Sequence, residues 1–255
     1  LSVMSVANAA FTDAKDFTAE YTEAAEVLTS LGVLKGYTDG SFQPKGEITR
    51  AEVAAIVYRV VTGDTSDKSV GIYADYARFD DVKSTAWYAG YVGYCNNAEL
   101  IKGYGNGKFG PNDKVTGYQA LAMILRAMGY DKNGEFTGTG WEVKVASTAQ
   151  QRGILVNINQ GTLGVSATRE LVAEIIFQAI TKNTVVYTPA LGYYTADLLG
   201  GVATDSLGYK QFGLTKVSGE ITAVDYQNKT TTLTEVVDEY QGYRKQTLVS
   251  DNALG

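Results

Sequence analysis

Residues 32–52 read Gly32-Val33-Leu34-Lys35-Gly36-Tyr37-Thr38-Asp39-Gly40-Ser41-Phe42-Gln43-Pro44-Lys45-Gly46-Glu47-Ile48-Thr49-Arg50-Ala51-Glu52, and much of this stretch returns further along the chain. Leu34-Lys35-Gly36-Tyr37 becomes Ile101-Lys102-Gly103-Tyr104, an offset of 101 − 34 = 67. The same offset pairs Gly40 with Gly107, Phe42 with Phe109, Pro44 with Pro111, Thr49 with Thr116 and Arg59 with Arg126. So many identities in one register mark a repeat of a supersecondary unit. Upstream, Phe11-Thr12-Asp13-Ala14 pairs with Phe79-Asp80-Asp81-Val82, shifted by 79 − 11 = 68.

A third, worn copy follows. Gly153-Ile154-Leu155 matches Gly32-Val33-Leu34, and Thr168-Arg169-Glu170 matches Thr49-Arg50-Ala51-Glu52. The threonine spacings are 116 − 49 = 67 and 168 − 116 = 52, so the first connection carries 67 − 52 = 15 extra residues. The polar stretch 63–77 is the place for them and reads as a linker or surface excursion.

Each copy parses as helix, loop, helix. Tyr21, Ala24, Ala25, Leu28 and Leu31 recur at helical steps, and Gly32 stops that helix. Asp39-Gly40 supplies a turn, and Phe42 brings the chain back to the core. Thr49 with Glu52 three residues on is a capping box, which satisfies two helix-end amides reciprocally and opens the second helix. Val53, Ile56, Val57 and Val60 form its apolar face. The second copy keeps the box as Thr116 and Gln119. In the third, Leu171 takes that position and breaks it, while Ile175, Ile176 and Ile180 keep the helix face.

The composition narrows the chemistry. The 255 residues hold no histidine and one cysteine, with 22 basic and 28 acidic side chains for a net charge of −6. No histidine-dependent nucleophile, imidazole base or histidine metal site is available. One cysteine makes neither an internal disulfide nor a thiolate zinc cage. The negative balance argues against a sequence-independent grip on nucleic acid. Cys95 lies among Tyr91, Val92, Ala98 and Leu100 at helical spacing and reads as a buried, inert thiol. No catalytic set, cofactor site or metal site is expected, and the chain reads as a non-enzyme. Residues 1–10 end in Ala7-Asn8-Ala9, the pattern left by a secretory signal, so they read as a leader remnant or an N-terminal arm.

At the repeated residues the chain resembles the S-layer homology family. The resemblance rests on Phe11, Asp13, Gly36-Tyr37, Asp39-Gly40-Ser41-Phe42, Pro44 and Ile48-Thr49-Arg50-Ala51-Glu52 in the first copy. In the second it rests on Phe79, Asp81-Val82, Trp87, Gly103-Tyr104, Gly107, Phe109 and Pro111. It implies a mainly α fold, three helix-loop-helix repeats in a pseudo-threefold spindle followed by a small β-rich segment. The boundaries so implied are 11–64, 76–130 and a degenerate 131–187, with the β-rich segment over 190–255 as the start of a longer region.

The resemblance further implies a secreted protein of the cell wall or S-layer. Grooves between its repeats would hold a secondary cell-wall polymer, a peptidoglycan-linked glycan with a pyruvylated sugar. The residues permit a physical account of that. Arg50, at the first turn of a capped helix, offers a planar fork for a pyruvate carboxylate, and free amides at the helix end would add to the field. Arg169 is its counterpart in the third copy. Lys35 and Lys102 would be further cationic points, and Gly36 and Gly103 would let backbone approach the sugar. Trp87 would stack on the ring, Asp13 and Asp81 would accept hydroxyls, and Thr49 lies beside Arg50. The alternatives are the anchor of a surface enzyme whose catalytic domain lies outside this chain, and a lattice-assembly module that binds neighbouring copies and no sugar.

Two departures reduce the expected number of working grooves to one or two. The second copy has Gly117-Tyr118-Gln119 where the family has Arg-Ala-Glu. The third has Asn159-Gln160-Gly161-Thr162-Leu163-Gly164 in place of Asp-Gly-Ser-Phe. Beyond Pro189 the texture changes. Glu220–Asp225 alternates with period two, Gln227-Asn228-Lys229 makes a turn, and residues 230–237 return, which is a hairpin signal, with a further strand expected over 244–249.

Overall fold

Apolar residues at helical spacing, bounded by threonine caps and glycine stops, fold as three helix pairs. These are α1 (Thr22–Ser30) with α2 (Arg50–Thr62), α3 (Ala89–Asn97) with α4 (Gly117–Ala127), and α5 (Trp141–Gln151) with α6 (Arg169–Ile180). The computed structural model describes residues 11–195, 206–214, 220–228, 230–238 and 242–249. The leader-remnant reading of residues 1–10 lies outside the described residues.

The second helix of each pair starts the same way. Thr49 is extended, its hydroxyl accepts from the Glu52 amide at 3.3 Å, and the Glu52 carboxylate accepts from the Thr49 amide at 2.8 Å. Thr116 and Gln119 repeat both bonds. Thr168 accepts from the Leu171 amide, but Leu171 has nothing to return, so that cap is one-sided.

The segments leading into these caps meet one another. The Ile48 amide donates to Ala167 O at 3.1 Å, the Ala167 amide to Val115 O at 2.8 Å, and the Val115 amide to Ile48 O at 3.2 Å, which closes a ring. Isolated antiparallel bridges run beside it, Glu47 with Thr168, Thr49 with Lys114, and Thr116 with Ser166. Because α2, α4 and α6 all start from this ring, they are central and deeply buried; every residue of α6 is buried. Of the first helices, α1 buries only Ala24, Ala25 and Leu28 and α5 only Val145 and Ala149, whereas α3 buries six of its nine residues.

The stretch 63–77 is not a loose excursion. Gly63 closes α2 in the left-handed region, at φ 71°, and Val70–Tyr76 then winds as a 3-10 segment against α3. Tyr58, Tyr73 and Tyr94 stack edge to face with centroids 5.1 Å apart for the pairs made by Tyr94. Two tyrosines, Tyr73 and Tyr76, stand in this polar-looking stretch, and the packing of Tyr73 against Tyr58 and Tyr94 outweighs the turn signals of Gly63 and Asp64. The glycines of α3 admit the segment, since a Cβ at Gly90 would lie 2.2 Å from Val70 O and one at Gly93 1.9 Å from Tyr73 O.

Past α6, β1 (Val186–Thr188) and β2 (Gly192–Tyr194) form an antiparallel hairpin, and α7 (Leu207–Phe212) returns to α2 and α6. The sequence reading contained neither the hairpin nor α7. A separate unit holds the antiparallel sheet of β3 (Glu220–Asp225), β4 (Thr230–Asp238) and β5 (Gly242–Val249). Its first turn is held by the Asp225 carboxylate, which accepts from the Gln227 and Asn228 amides. Counting this sheet, the described residues are still mostly helical. Among them, no helix is long and apolar enough to cross a membrane.

Candidate binding grooves

Each second helix reaches into the loop of another repeat. The backbone amides of Arg50 and Ala51 donate to Asp113 O and Pro111 O, and those of Arg169 and Glu170 donate to Gly46 O and Pro44 O. The expectation of free helix-end amides near Arg50 is therefore corrected. Its first two turn positions are satisfied by the neighbouring loop, and the Glu52 amide is taken by Thr49. Unpaired buried amides are costly, and this loop is what relieves them.

The arginine side chains follow their backbone. Arg50 is buried; its Nε donates to Phe109 O at 2.7 Å and its Nη2 to Lys102 O at 2.8 Å. Arg169, also buried, donates from Nε to Phe42 O at 2.8 Å and from Nη2 to Lys35 O at 3.0 Å. Each guanidinium is flanked by two rings, Tyr104 and Phe109 for Arg50, Tyr37 and Phe42 for Arg169, at 4.6–4.9 Å. Burial lowers the Arg50 pKa, against the raising influence of Tyr104 and Asp113. Both arginines thus brace one repeat against the next, using Nε and Nη2.

Around Arg50 lies a groove of about 360 Å³. Lys102, Gly103 and Tyr104 line one side, Gln119, Met123 and Arg126 of α4 another, and Phe136 and Trp141 a third. Of the expected residues, the structure brings Arg50, Lys102 and Gly103 together here, with Thr49 next in the chain. Arg169, Lys35 and Gly36 form the counterpart set, joined through the Lys35 carbonyl.

Asp13 and Asp81 stand behind these loops. The Asp13 oxygens accept from the Phe42 and Gln43 amides at 2.9 and 2.7 Å, and the Asp81 oxygens from Phe109 and Gly110 at 2.9 and 2.8 Å. Burial pushes the Asp81 carboxyl up, and the two amides outweigh it, so its pKa is lowered. Gly36 and Gly103 leave room for aromatic rings. A Cβ would lie 2.8 Å from the Phe11 ring in one case and 2.6 Å from the Phe79 ring in the other. Trp87 is 61% exposed and packs edge-on against Tyr88 and Tyr91.

The sequence reading missed a second pair of constellations. Arg59 forks Asp67 at 2.8 and 3.0 Å, and Lys35 pairs with the same carboxylate. Arg126 bonds Asp131 at 2.6 Å, with Lys102 at 3.3 Å. The Arg59 and Arg126 match at the repeat offset was the visible signal; the aspartates fall at 131 − 67 = 64 and stayed hidden. Trp141 in the Arg50 groove was missed as well. Its separation from Trp87, 141 − 87 = 54, is close to the second repeat step.

The two departures from the repeat pattern meet at one place. The Tyr118 amide donates to Leu163 O, and a Cβ on Gly117 would lie 2.7 Å from the Leu163 side chain. Where the other interfaces hold an arginine, this one holds a buried leucine.

Comparison with known proteins agrees with the repeats. Residues 10–54 and 78–121 match the S-layer homology domain. A middle cell wall protein of Brevibacillus brevis is 36% identical over 123 residues, covering 48% of this chain and 11% of that protein. A cell surface protein of Thermoanaerobacter kivui is 28% identical over 262 residues, covering 100% of this chain and 33% of that protein. An amylopullulanase of Thermoanaerobacterium thermosulfurigenes is 33% identical over 117 residues, 46% of this chain and 6% of that protein. The chain therefore spans a third or less of the length of these relatives. With two matched repeats and surface-protein relatives, the chain is a secreted, cell-wall-associated surface protein carrying S-layer homology domains.

Proposed function

We propose that the helical unit anchors its protein non-covalently to the cell wall by binding a secondary cell-wall polymer through its pyruvylated sugar. The observation that carries this reading is the groove at Arg50. It gathers Arg50, Lys102 and Arg126 beside aromatic walls and an accessible Gly103 backbone, a set suited to a carboxylate on a sugar ring. The ring of bonds through Ile48, Val115 and Ala167 supports three repeats, over 11–64, 76–130 and 131–187, in a pseudo-threefold spindle. Its interfaces at Arg50 and Arg169 are the proposed grooves. Lys35, Gly36, Thr49 and Trp87 belong to the same site set, and Asp13 and Asp81 hold its loops. The module itself is non-catalytic; an enzyme such as the amylopullulanase relative would carry its chemistry elsewhere.

Pull-down on purified cell walls tests the reading. Walls with native polymer should retain the protein, and walls stripped of pyruvate should release it. Equal retention on both overturns the pyruvylated-sugar assignment.

A further inference from the structure

The proposed grooves differ at the third helical residue, which is Glu52 in α2 and Gln119 in α4 (119 − 52 = 67). Glu52 does two things at once. Its Oε2 accepts from the Thr49 amide, and its Oε1 accepts from the Tyr37 hydroxyl at 3.3 Å and lies 3.6 Å from Arg169 Nη1. Nη1 is the nitrogen that Arg169 does not spend on its brace to Phe42 and Lys35. The carboxylate therefore occupies the part of the guanidinium through which a ligand anion would approach.

Around Arg50 the arrangement is different. Gln119 lines the groove and is neutral, and its Oε1 serves the Thr116 cap. Among the described residues Arg50 has no ion pair. Asp113, the nearest acidic counterpart in this loop, accepts from the Tyr104 hydroxyl at 2.9 Å. Among the described residues, one arginine thus faces the groove without an ion-pair partner, while the other already has a carboxylate 3.6 Å from its Nη1.

Resting on the anchoring reading, we infer that Glu52 and Gln119 set which groove takes an acidic sugar. The Arg50 groove is the working site, and Glu52 acts as an internal anion that weakens the Arg169 groove. Charge already paired with an internal carboxylate attracts the ligand less, which makes occupation a competition between two carboxylates.

Reciprocal exchange tests this without disturbing the helix caps, because each side chain already fills this position in one of the two boxes. The probe is the methyl glycoside of a pyruvate-ketal N-acetylhexosamine, titrated calorimetrically against the intact chain. Wild type should show one strong site. Glu52→Gln should add a second, tightening the Arg169 groove by on the order of tenfold, and Gln119→Glu should weaken the first by a similar factor. If wild type binds and both exchanges leave stoichiometry and affinity unchanged, the Glu52 assignment falls while anchoring stands. If wild type binds neither the glycoside nor pyruvate-bearing walls, both readings fall.

Discussion

Arg50 donates from Nε to the carbonyl of Phe109 at 2.7 Å while its guanidinium lies 4.6 Å from the centre of the same residue's ring. Fifty-nine residues separate the two, so the bond ties the start of α2 to the loop before α4. A residue proposed to meet the ligand is therefore also a structural brace. Arg50→Ala should lower stability by about 2–4 kcal/mol, since two carbonyls lose their donor in a buried place. Arg50→Lys should recover part of that, because an ammonium can reach one carbonyl but lacks the planar fork for both. Urea denaturation reads both variants. A loss under about 0.5 kcal/mol for Arg50→Ala, as at an ordinary surface position, would show that the brace does not hold the repeats together.

Gly117 occupies the position of Arg50 and Arg169 in the second repeat, and its natural correction would be arginine. The structure argues that this fails. Leu163 already fills the space, with its Cα 2.8 Å and a methyl 2.7 Å from where the Cβ would stand. Gly117→Arg should therefore cost about 1–3 kcal/mol by overpacking and should add no sugar-binding site. Thermal melts and calorimetric stoichiometry check the two halves separately. A variant that binds one more glycoside per chain would show that a glycine alone had silenced the interface.

The segment Val70–Tyr76 predicts a sharper loss. Gly90→Ala and Gly93→Ala each place a methyl within 2.2 Å of a backbone carbonyl, that of Val70 or Tyr73. Backbone cannot yield as a side-chain tip can, so the 3-10 segment must lift from α3 and expose the Tyr58, Tyr73 and Tyr94 cluster. Each change should destabilise by about 2–4 kcal/mol. Proteolysis within 63–77 should speed up in both. Cleavage at the wild-type rate would mean that the segment contributes little to the fold.

These outcomes divide what was legible in the sequence from what was not. The caps at Thr49, Thr116 and Thr168 were legible because a capping box is local: four adjacent residues carry all of its chemistry. The arginine pair was legible as a repeat, yet its brace was not. Phe109 O and Lys102 O are backbone atoms of a distant loop, and no side-chain pattern marks them. For the same reason the helix-end amides looked free, while Asp113 and Pro111 accept from them. Gly117 and the altered loop at Leu163 were both visible, but only the fold shows that they share one interface. Asp67 and Asp131 escaped because they sit three residues out of the repeat register and follow turns of different length.

Asp64 carries the last prediction, on pH. Its carboxylate accepts from the Ser69 and Lys68 amides and from the Tyr58 and Ser66 hydroxyls. The Ser69 amide is the largest lowering influence, and together these bonds bring its pKa down to about 2 against the opposing effect of burial. A carboxyl whose folded pKa lies below its unfolded value of about 3.9 stabilises the fold at all pH values above that figure. The contribution is lost as pH falls from about 4 towards 2, where the folded-state group also takes its proton. Asp64→Asn removes this titration, so its stability curve should be flatter than wild type between those limits and unchanged in shape above pH 5. The same proton should act on Tyr58, whose hydroxyl is held to Asp64 at 2.9 Å, and on the aromatic cluster behind it. Carbon-detected NMR of the Asp64 carboxyl gives the midpoint directly. A midpoint near 4 would show that the four donors do not bind the ionised form, and the acid sensitivity of the segment would then need another source.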